Sequence, residues 1–243
     1  MLVMVSQGIG MEGLLAIIVI PFLGYLAYKV KALDKKGSLI AILLGYAIII
    51  LGGYLPFLAL LTFLIAGTLA TRIKWNEKNA LGLNEDVYRS VGNVLGNGLA
   101  PLLFLILEVL AEKDWGWAGV FSAIATANAD TLASEIGKAF GKNPIMITTF
   151  RRAKVGESGA VSLVGEIVAL LGALMIGIFA MFSSYNKFEM LLSVTIAGFL
   201  GSNIDSLVGA TLERRGYLDN NGTNFVATLL GGVIGILMFL IVG

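Results

Sequence analysis

Residues 203–209 read Asn-Ile-Asp-Ser-Leu-Val-Gly, and residues 128–134 read Asn-Ala-Asp-Thr-Leu-Ala-Ser. Both fit the pattern Asn-x-Asp-(Ser/Thr)-Leu-x-small, and both lie inside long apolar segments. Carboxylate and amide side chains are costly inside a membrane-spanning helix and usually have a function there. A matching pair of this kind predicts a duplicated unit with a site between its two copies.

The composition around these motifs indicates an all-α polytopic membrane protein. Of the 243 residues, 57% are hydrophobic and 14% are charged, whereas soluble domains carry about 25% charged residues. We therefore expect one integral membrane domain, 1–243, with membrane lipids as neighbours, no nucleic-acid partner and a possible homo-oligomer. The chain has no Cys and no His, which excludes disulfides, thiolate chemistry and histidine acid–base catalysis.

Eight segments are long enough to cross a membrane, since a spanning helix needs roughly 20 apolar residues. They are 13–30, 37–53, 54–72, 91–111, 116–140, 160–183, 188–213 and 221–242. The second and third segments are short and nearly continuous, so a tight hairpin and one irregular segment are both open. The repeated motifs predict one unit from segments 5–6 and a second unit from segments 7–8.

Basic residues are concentrated in alternate connections between these segments. Of the 17 Lys and Arg residues, all but Lys113 and Lys187 fall in connections 1–2, 3–4, 5–6 and 7–8. The positive-inside rule then places these connections in the cytoplasm and both termini outside a cell membrane. Segments 5 and 7 run in the same direction in this arrangement, so the repeat is predicted to be parallel.

The acids of the two motifs are candidate metal ligands. Asp130 and Asp205, with Glu135 as a third candidate, supply the hard oxygen ligands that Mg²⁺ takes alongside water and phosphate oxygens. Asn128 and Asn203 are candidate cofactor-binding residues in the same motifs. The alternative is hydrogen bonding between helices for the motif residues, and an ion pair with Lys138 for Glu135.

Two further stretches predict phosphate binding. Arg89, Asn93 and Asn97 follow i, i+4, i+8 spacing and form one polar stripe, whose alternative role is that of a polar helix end. Residues 148–162 read Thr-Thr-Phe-Arg-Arg-Ala-Lys-Val-Gly-Glu-Ser-Gly-Ala-Val-Ser. Glycine-rich backbone before a helix presents free N–H groups to an anion, so this loop is predicted to hold a polyphosphate; a headgroup anchor is the alternative.

Within that loop, Gly159 and Ser162 are the predicted cofactor-binding residues. Arg151, Arg152 and Lys154 are predicted to act in catalysis together with Asp130 and Asp205, because phosphoryl transfer depends on positioning and on neutralising charge.

Four stretches together resemble one integral-membrane family. They are 89–98 (Arg-Ser-Val-Gly-Asn-Val-Leu-Gly-Asn-Gly), 127–137 (Ala-Asn-Ala-Asp-Thr-Leu-Ala-Ser-Glu-Ile-Gly), 147–149 (Ile-Thr-Thr) with the basic turn that leads to 161–163 (Val-Ser-Leu), and 201–212 (Gly-Ser-Asn-Ile-Asp-Ser-Leu-Val-Gly-Ala-Thr-Leu). Over roughly 30–240 the chain is similar to the family that contains the plant plastid phytyl-phosphate kinase of tocopherol synthesis and its archaeal, bacterial and animal relatives.

This resemblance implies phosphorylation of a phytyl or polyprenyl monophosphate to the diphosphate, with CTP or another NTP as donor and Mg²⁺ as cofactor. A phosphate monoester has a second pKa near ~6, so it is a nucleophile at neutral pH without a base, as suits a chain without His. Two alternatives stay open: a cytidylyltransferase that makes a CDP-lipid, and a secondary transporter.

Overall fold

The computed structural model describes residues 11–83, 88–184 and 186–242. Its α-helices in this part of the chain are α1 Met11–Lys29, α2 Lys35–Gly52, α3 Tyr54–Arg72, α4 Trp75–Ala80, α5 Val91–Ala111, α6 Asp114–Phe140, α7 Leu163–Ala180, α8 Lys187–Val208 and α9 Asn220–Val242. A π-helical turn, Gly209–Glu213, extends α8. The strands β1 Ile145–Met146 and β2 Ala160–Val161 form a small antiparallel ladder between α6 and α7.

Six of the described helices are long and apolar enough to cross a membrane: α2, α3, α5, α7, α8 with its π-helical turn, and α9. Large apolar side chains such as Ile50, Leu110 and Ile241 are 72%, 78% and 81% exposed, as expected where lipid rather than water covers the surface. The chain is therefore an all-α membrane protein. The eight-span count, the parallel repeat and the sidedness of the loops stay predictions.

Helix α6 differs from those six helices because protein surrounds it. Gly116 and every residue of 118–129 are buried, and α3, α5, α7, α8 and α9 all pack against it. A methyl group on Gly201 of α8 or Gly231 of α9 would overlap the Thr126 hydroxyl. Small residues at such contacts let the backbones of α6, α8 and α9 approach closely. Protein can therefore enclose α6 without many large apolar side chains on that helix.

The segment around Gly53 is a hairpin. Gly53 has φ +76°, a left-handed conformation that glycine adopts without strain. A Cβ built on Gly45 would lie 3.1 Å from Phe57 Cε2, and in one continuous helix these residues would be far apart along the axis. The alternative of one irregular segment is thus wrong, and α2 and α3 pack side by side.

The connection between α1 and α2 holds the start of α5 in place. Asp34 caps α2 by accepting a hydrogen bond from the Gly37 amide at 2.5 Å. The Asp34 amide donates to the Arg89 carbonyl at 3.1 Å, and the Arg89 amide donates to the Ala32 carbonyl at 3.2 Å. These bonds fix the backbone of Arg89 just before α5 begins.

Candidate active site

A polar cavity of about 770 Å³ lies at one end of the helix bundle. All four basic connections contribute to its wall, through residues such as Lys31, Arg89, Gly159 and Asp219. Its acidic lining residues are Asp130, Glu135, Glu157, Glu166, Asp205, Glu213 and Asp219, and its basic ones are Lys31, Arg72, Arg89 and Lys138. The polar residues of distant segments therefore converge on one end of the molecule.

The two motif aspartates meet in this cavity. Asp130 on α6 and Asp205 on α8 both line it, and the negative charge of Glu213, a third lining residue, acts on both. Asp205 Oδ2 is buried and accepts no hydrogen bond from the described residues. Adjacent carboxylates with an unsatisfied oxygen repel each other unless a cation or a proton lies between them, so this pair suits a divalent cation.

The aspartate pair does not form a closed metal cage. Among the residues that the structure describes, no group of three or more Asp, Glu, His or Cys side chains is placed to hold a metal ion. Mg²⁺ is commonly held by one or two carboxylates, with water and substrate phosphates completing its shell. The residues present fit an ion of that kind, bound jointly with a phosphorylated substrate.

Glu135, the third metal candidate, lies in an ion-pair network. Its carboxylate is 2.5 Å from Lys78 Nζ and 3.8 Å from Lys138 Nζ. Lys78 is buried, with 1% of its side chain exposed, and it also donates to the Thr71 carbonyl at 2.9 Å. The ion pair between Glu135 and Lys138, which is the alternative to metal binding, is therefore present. The shorter contact to Lys78 links α4 to α3 and α6.

Arg89 offers an unused donor to the cavity. Its guanidinium lies 5.0 Å from the Phe63 ring, and Nη1 is buried without a hydrogen-bond partner in the described chain. Burial lowers the pKa of Arg89 to about 10, an effect that the negative charge of Glu135 partly offsets. The side chain keeps its charge at neutral pH and can bind an anion such as phosphate.

Asn93 and Asn97 also line the cavity. Asn93 Oδ1 accepts from the Ser90 amide at 2.9 Å, and Asn93 Nδ2 donates to Asn221 Oδ1 at 3.1 Å. Asn97 Nδ2 donates to the Asn93 carbonyl at 3.0 Å. Asn93 and Asn97 thus make the contacts expected of a polar helix end, and both also line the cavity in which phosphate binding is predicted.

The glycine-rich loop before α7 forms one wall of the cavity. The lining includes Gly156, Ser158, Gly159 and Ser162, and the amides of the first three donate no hydrogen bond to a described residue. Free amides in such a turn form a concave site for an anion. Ser162 caps α7 by accepting a hydrogen bond from the Gly165 amide at 3.1 Å.

The chain matches the family described as Integral membrane protein DUF92 over residues 18–232. It belongs to this family. A membrane protein of Methanocaldococcus jannaschii is 36% identical over 224 residues, which are 92% of this chain and 93% of the relative. A membrane protein of Synechocystis is 32% identical over 212 residues, which are 85% and 82% of the two chains.

The chloroplastic protein VTE6 of Arabidopsis thaliana is 28% identical over 219 residues, which are 86% of this chain and 66% of the plant protein. No solved structure matches the chain. The family resemblance that the motifs indicate is confirmed by these matches.

In this DUF92 member the two motif asparagines lie behind the cavity wall. Asn128 is fully buried, and its Nδ2 donates to the Gly172 carbonyl of α7 at 2.8 Å. Asn203 Nδ2 donates to Glu166 Oε2 at 3.1 Å and to the Phe199 carbonyl at 3.0 Å. Neither residue lines the cavity, and both make the contacts expected from the helix-packing alternative.

The three loop cations lie outside the cavity. Arg151, Arg152 and Lys154 are exposed, and none of them is among the residues that line it. Arg152 lies in a bridge with Ile145 beside β1. Their catalytic role stays a prediction, and the basic side chains that the structure does bring to the cavity come from other segments.

Several lining residues were not predicted from the sequence as part of the site. They are Lys31, Thr68, Thr71, Arg72, Asp219, Asn220, Asn221 and Asn224. Helix α9 begins at Asn220, and Asp219 accepts a hydrogen bond from the Gly222 amide at 2.8 Å. An Asp three residues before that amide is an N-cap signal, and the i, i+4 pair Asn220 and Asn224 then marks one polar face.

Proposed function

We propose that this protein is a membrane-embedded kinase that converts a phytyl or polyprenyl monophosphate to the diphosphate, with CTP or another NTP as phosphoryl donor. The observation that carries the proposal is that Asp130 and Asp205, one from each repeated motif, line the same polar cavity. Arg89, with a buried Nη1 that lacks a partner among the described residues, and Gly156, Ser158 and Gly159 of the glycine-rich loop line it as well. Membership in the family of the plant phytyl-phosphate kinase supports the same activity.

The chemistry needs little from the protein beyond positioning. An oxygen of the lipid monophosphate attacks the γ-phosphorus of the nucleotide, the bond from that phosphorus to the β,γ-bridging oxygen breaks, and the nucleoside diphosphate leaves. With a second pKa near ~6, the attacking phosphate is already ionised at neutral pH. Catalysis of such a transfer consists mostly of alignment and of neutralising charge on the transferring oxygens.

An excess of acidic side chains in the cavity supports the entry of phosphates together with a cation. Among the residues that the structure describes, seven acidic and four basic side chains line the wall, and such an excess of negative charge repels a polyphosphate. Asp130 and Asp205 are the residues that would hold Mg²⁺. When bound there, the ion would supply positive charge for the nucleotide phosphates.

A transporter is the less favoured reading of the same acids. Transporters that carry repeats bind their substrate near the middle of the bilayer and open to either side. Here the wall of the cavity includes all four basic connections, and none of the residues at 53, 112–113 or 181–184 at the other end of the bundle lines it. An interfacial enzyme site explains this one-ended arrangement directly.

The decisive experiment is incubation of the purified protein with geranylgeranyl or phytyl monophosphate, Mg²⁺ and each NTP in turn, with mass spectrometry of both products. The proposed kinase yields a lipid diphosphate and an NDP. A CDP-lipid with pyrophosphate would establish the cytidylyltransferase instead. Absence of both product pairs with every nucleotide and both lipids, from protein that is folded in detergent, would overturn the proposed function.

A further inference from the structure

A second, apolar cavity of about 120 Å³ lies between α1, α2, α3 and α5. Its apolar wall is formed by Ile20, Leu23, Gly24, Ala27, Leu33, Ala41, Ile42, Leu44, Gly45, Phe57, Leu60, Leu61, Phe63, Leu64, Val94 and Gly98. We call this cavity the apolar groove. The groove has no place in the phosphoryl-transfer chemistry, so its presence beside the site needs a separate explanation.

The apolar groove adjoins the polar cavity. Arg89, Asn93 and Asn97 line both, and they are the only polar residues among the described residues that line the groove. Arg89 lies against the ring of Phe63, a groove residue, and its Nη1 lacks a hydrogen-bond partner within the described chain. The groove is thus a hydrocarbon-compatible pocket, and at its polar end lies Arg89, whose buried Nη1 has no hydrogen-bond partner among the described residues.

The helices around the apolar groove are at the periphery of the bundle. Of the most apolar 18-residue stretch of each helix, 22% is buried inside the protein in α2 and 28% in α3, compared with 44% in α5. Glycines let the helices around the groove pack closely: a Cβ on Gly98 would overlap Leu44, and one on Gly45 would lie 3.2 Å from Ile20 Cγ2. A hydrocarbon chain can therefore reach the groove from the lipid beside these helices.

We propose that the apolar groove binds the isoprenoid chain of the acceptor lipid next to its phosphate, and that Arg89 Nη1 binds that phosphate. The inference rests on the proposed function and assigns the acceptor to the α1–α2–α3–α5 side of the cavity. Pockets that enclose a whole drug-sized ligand have volumes of roughly 300–1,000 Å³, so a groove of about 120 Å³ holds the first isoprene units, and the rest of the chain stays in the bilayer.

The first test is kinetic and uses two matched phenylalanine substitutions on α2. Ala41→Phe adds a ring inside the apolar groove, whereas Leu43→Phe changes a side chain that is 57% exposed on the outer face of the same helix. We expect Ala41→Phe to raise KM for geranylgeranyl monophosphate roughly tenfold, the scale of a steric misfit in an apolar pocket. KM for the nucleotide and both constants of Leu43→Phe are expected to stay near the wild-type values.

The second test does not depend on turnover or on the folding of a variant. Wild-type protein in detergent is labelled with a geranylgeranyl monophosphate analogue that carries a diazirine on its first isoprene unit, and the adducts are mapped by mass spectrometry. Adducts on groove residues of α1, α2, α3 or α5 support the proposal. Adducts confined to α6, α7, α8 or α9, or an unchanged lipid KM in folded Ala41→Phe, overturn it.

The two proposals fail in different ways. Protein that forms neither lipid diphosphate nor CDP-lipid, but is labelled in the groove and releases the label to unlabelled geranylgeranyl monophosphate, contradicts the kinase and leaves the lipid site standing. Active protein that is labelled elsewhere contradicts the lipid site and leaves the kinase standing.

Discussion

Asp130 on α6 and Asp205 on α8 line the same cavity, at the place where these two helices pack against each other. Each aspartate follows a motif asparagine by two residues, and yet the asparagines make packing contacts behind the wall. The repeated motif therefore places its Asn in helix packing and its Asp at the cavity. This division is the basis of the first prediction.

Asp130→Asn or Asp205→Asn is expected to abolish Mg²⁺-dependent turnover while the protein still folds. Removing one carboxylate also removes a like-charge repulsion, so the thermal midpoint in detergent should stay equal or rise. Turnover, melting and binding of Mn²⁺ as a spectroscopic probe measure the three effects. Asp114→Asn is the control, because Asp114 begins the same helix and its carboxylate contacts Ser184 at 2.7 Å, outside the cavity. Full activity in either motif variant would remove that aspartate from the metal site.

The loss of charge from Arg89 should set the alkaline pH at which kcat/KM falls. Its pKa is lowered to about 10 by burial, with partial compensation from Glu135, so the side chain is charged below that pH and loses its proton above it. Lysine ionises near ~10.4 in water, and burial lowers that value. We therefore expect the kcat/KM of Arg89→Lys to fall at a lower pH than in the wild type.

A pH profile between 7 and 10.5 tests this expectation. Arg89→Met is the reference, since it should be weak at every pH. Identical alkaline limbs in the wild type and in Arg89→Lys would show that another group titrates there.

The buried pair Lys78–Glu135 should dominate the stability of the cavity wall. Lys78→Met leaves the Glu135 carboxylate, which is 15% exposed, with only the longer ion pair to Lys138 at 3.8 Å, and it removes the bond to the Thr71 carbonyl. Breaking a buried pair costs roughly 3 kcal/mol, measurable by chemical unfolding in detergent. Glu77→Gln breaks an ion pair whose Glu77 side chain is 68% exposed, and it should cost at most about 0.5 kcal/mol. Equal losses in the two variants would contradict the difference in burial.

Gly159→Ala should displace the glycine-rich loop. Gly159 has φ +82°, and an added Cβ would lie 2.7 Å from Ala210 Cα in the π-helical turn. Gly216→Ala is the matched control, since Gly216 has φ +75° with nothing within 4 Å of its Cβ position. Both variants carry the same left-handed strain of about 1–2 kcal/mol, and only Gly159→Ala should also raise KM for the nucleotide. Similar KM values for the nucleotide in the two variants would show that the glycine-rich loop does not bind the nucleotide.

Arg152→Ala should reduce turnover less than Arg89→Met does. The Arg152 side chain is exposed outside the cavity, whereas Arg89 lines it. Specific activity and the amount of protein in the membrane are measured side by side. A loss of membrane content alone would support the headgroup role of the loop, and loss of all turnover at normal membrane content would support the catalytic role predicted from the sequence.

The sequence by itself determined the class of protein and the positions of the long helices, and it singled out the two Asn-x-Asp motifs as a candidate site. Each of these depends on properties local to the chain. Hydropathy over some twenty residues selects a spanning helix, and the cost of a carboxylate in an apolar segment is a property of that segment alone. The family resemblance rests on the same local strings.

Only the tertiary structure decided which polar groups share the cavity. Lys78 lies on the short helix α4 and reaches Glu135 on α6, and the loop cations Arg151 and Arg152 remain exposed while Arg89 is brought to the wall. The apolar groove likewise exists only where α1, α2, α3 and α5 meet. Such contacts join residues distant in sequence, and their geometry depends on how closely small residues let neighbouring helices approach, which no local pattern specifies.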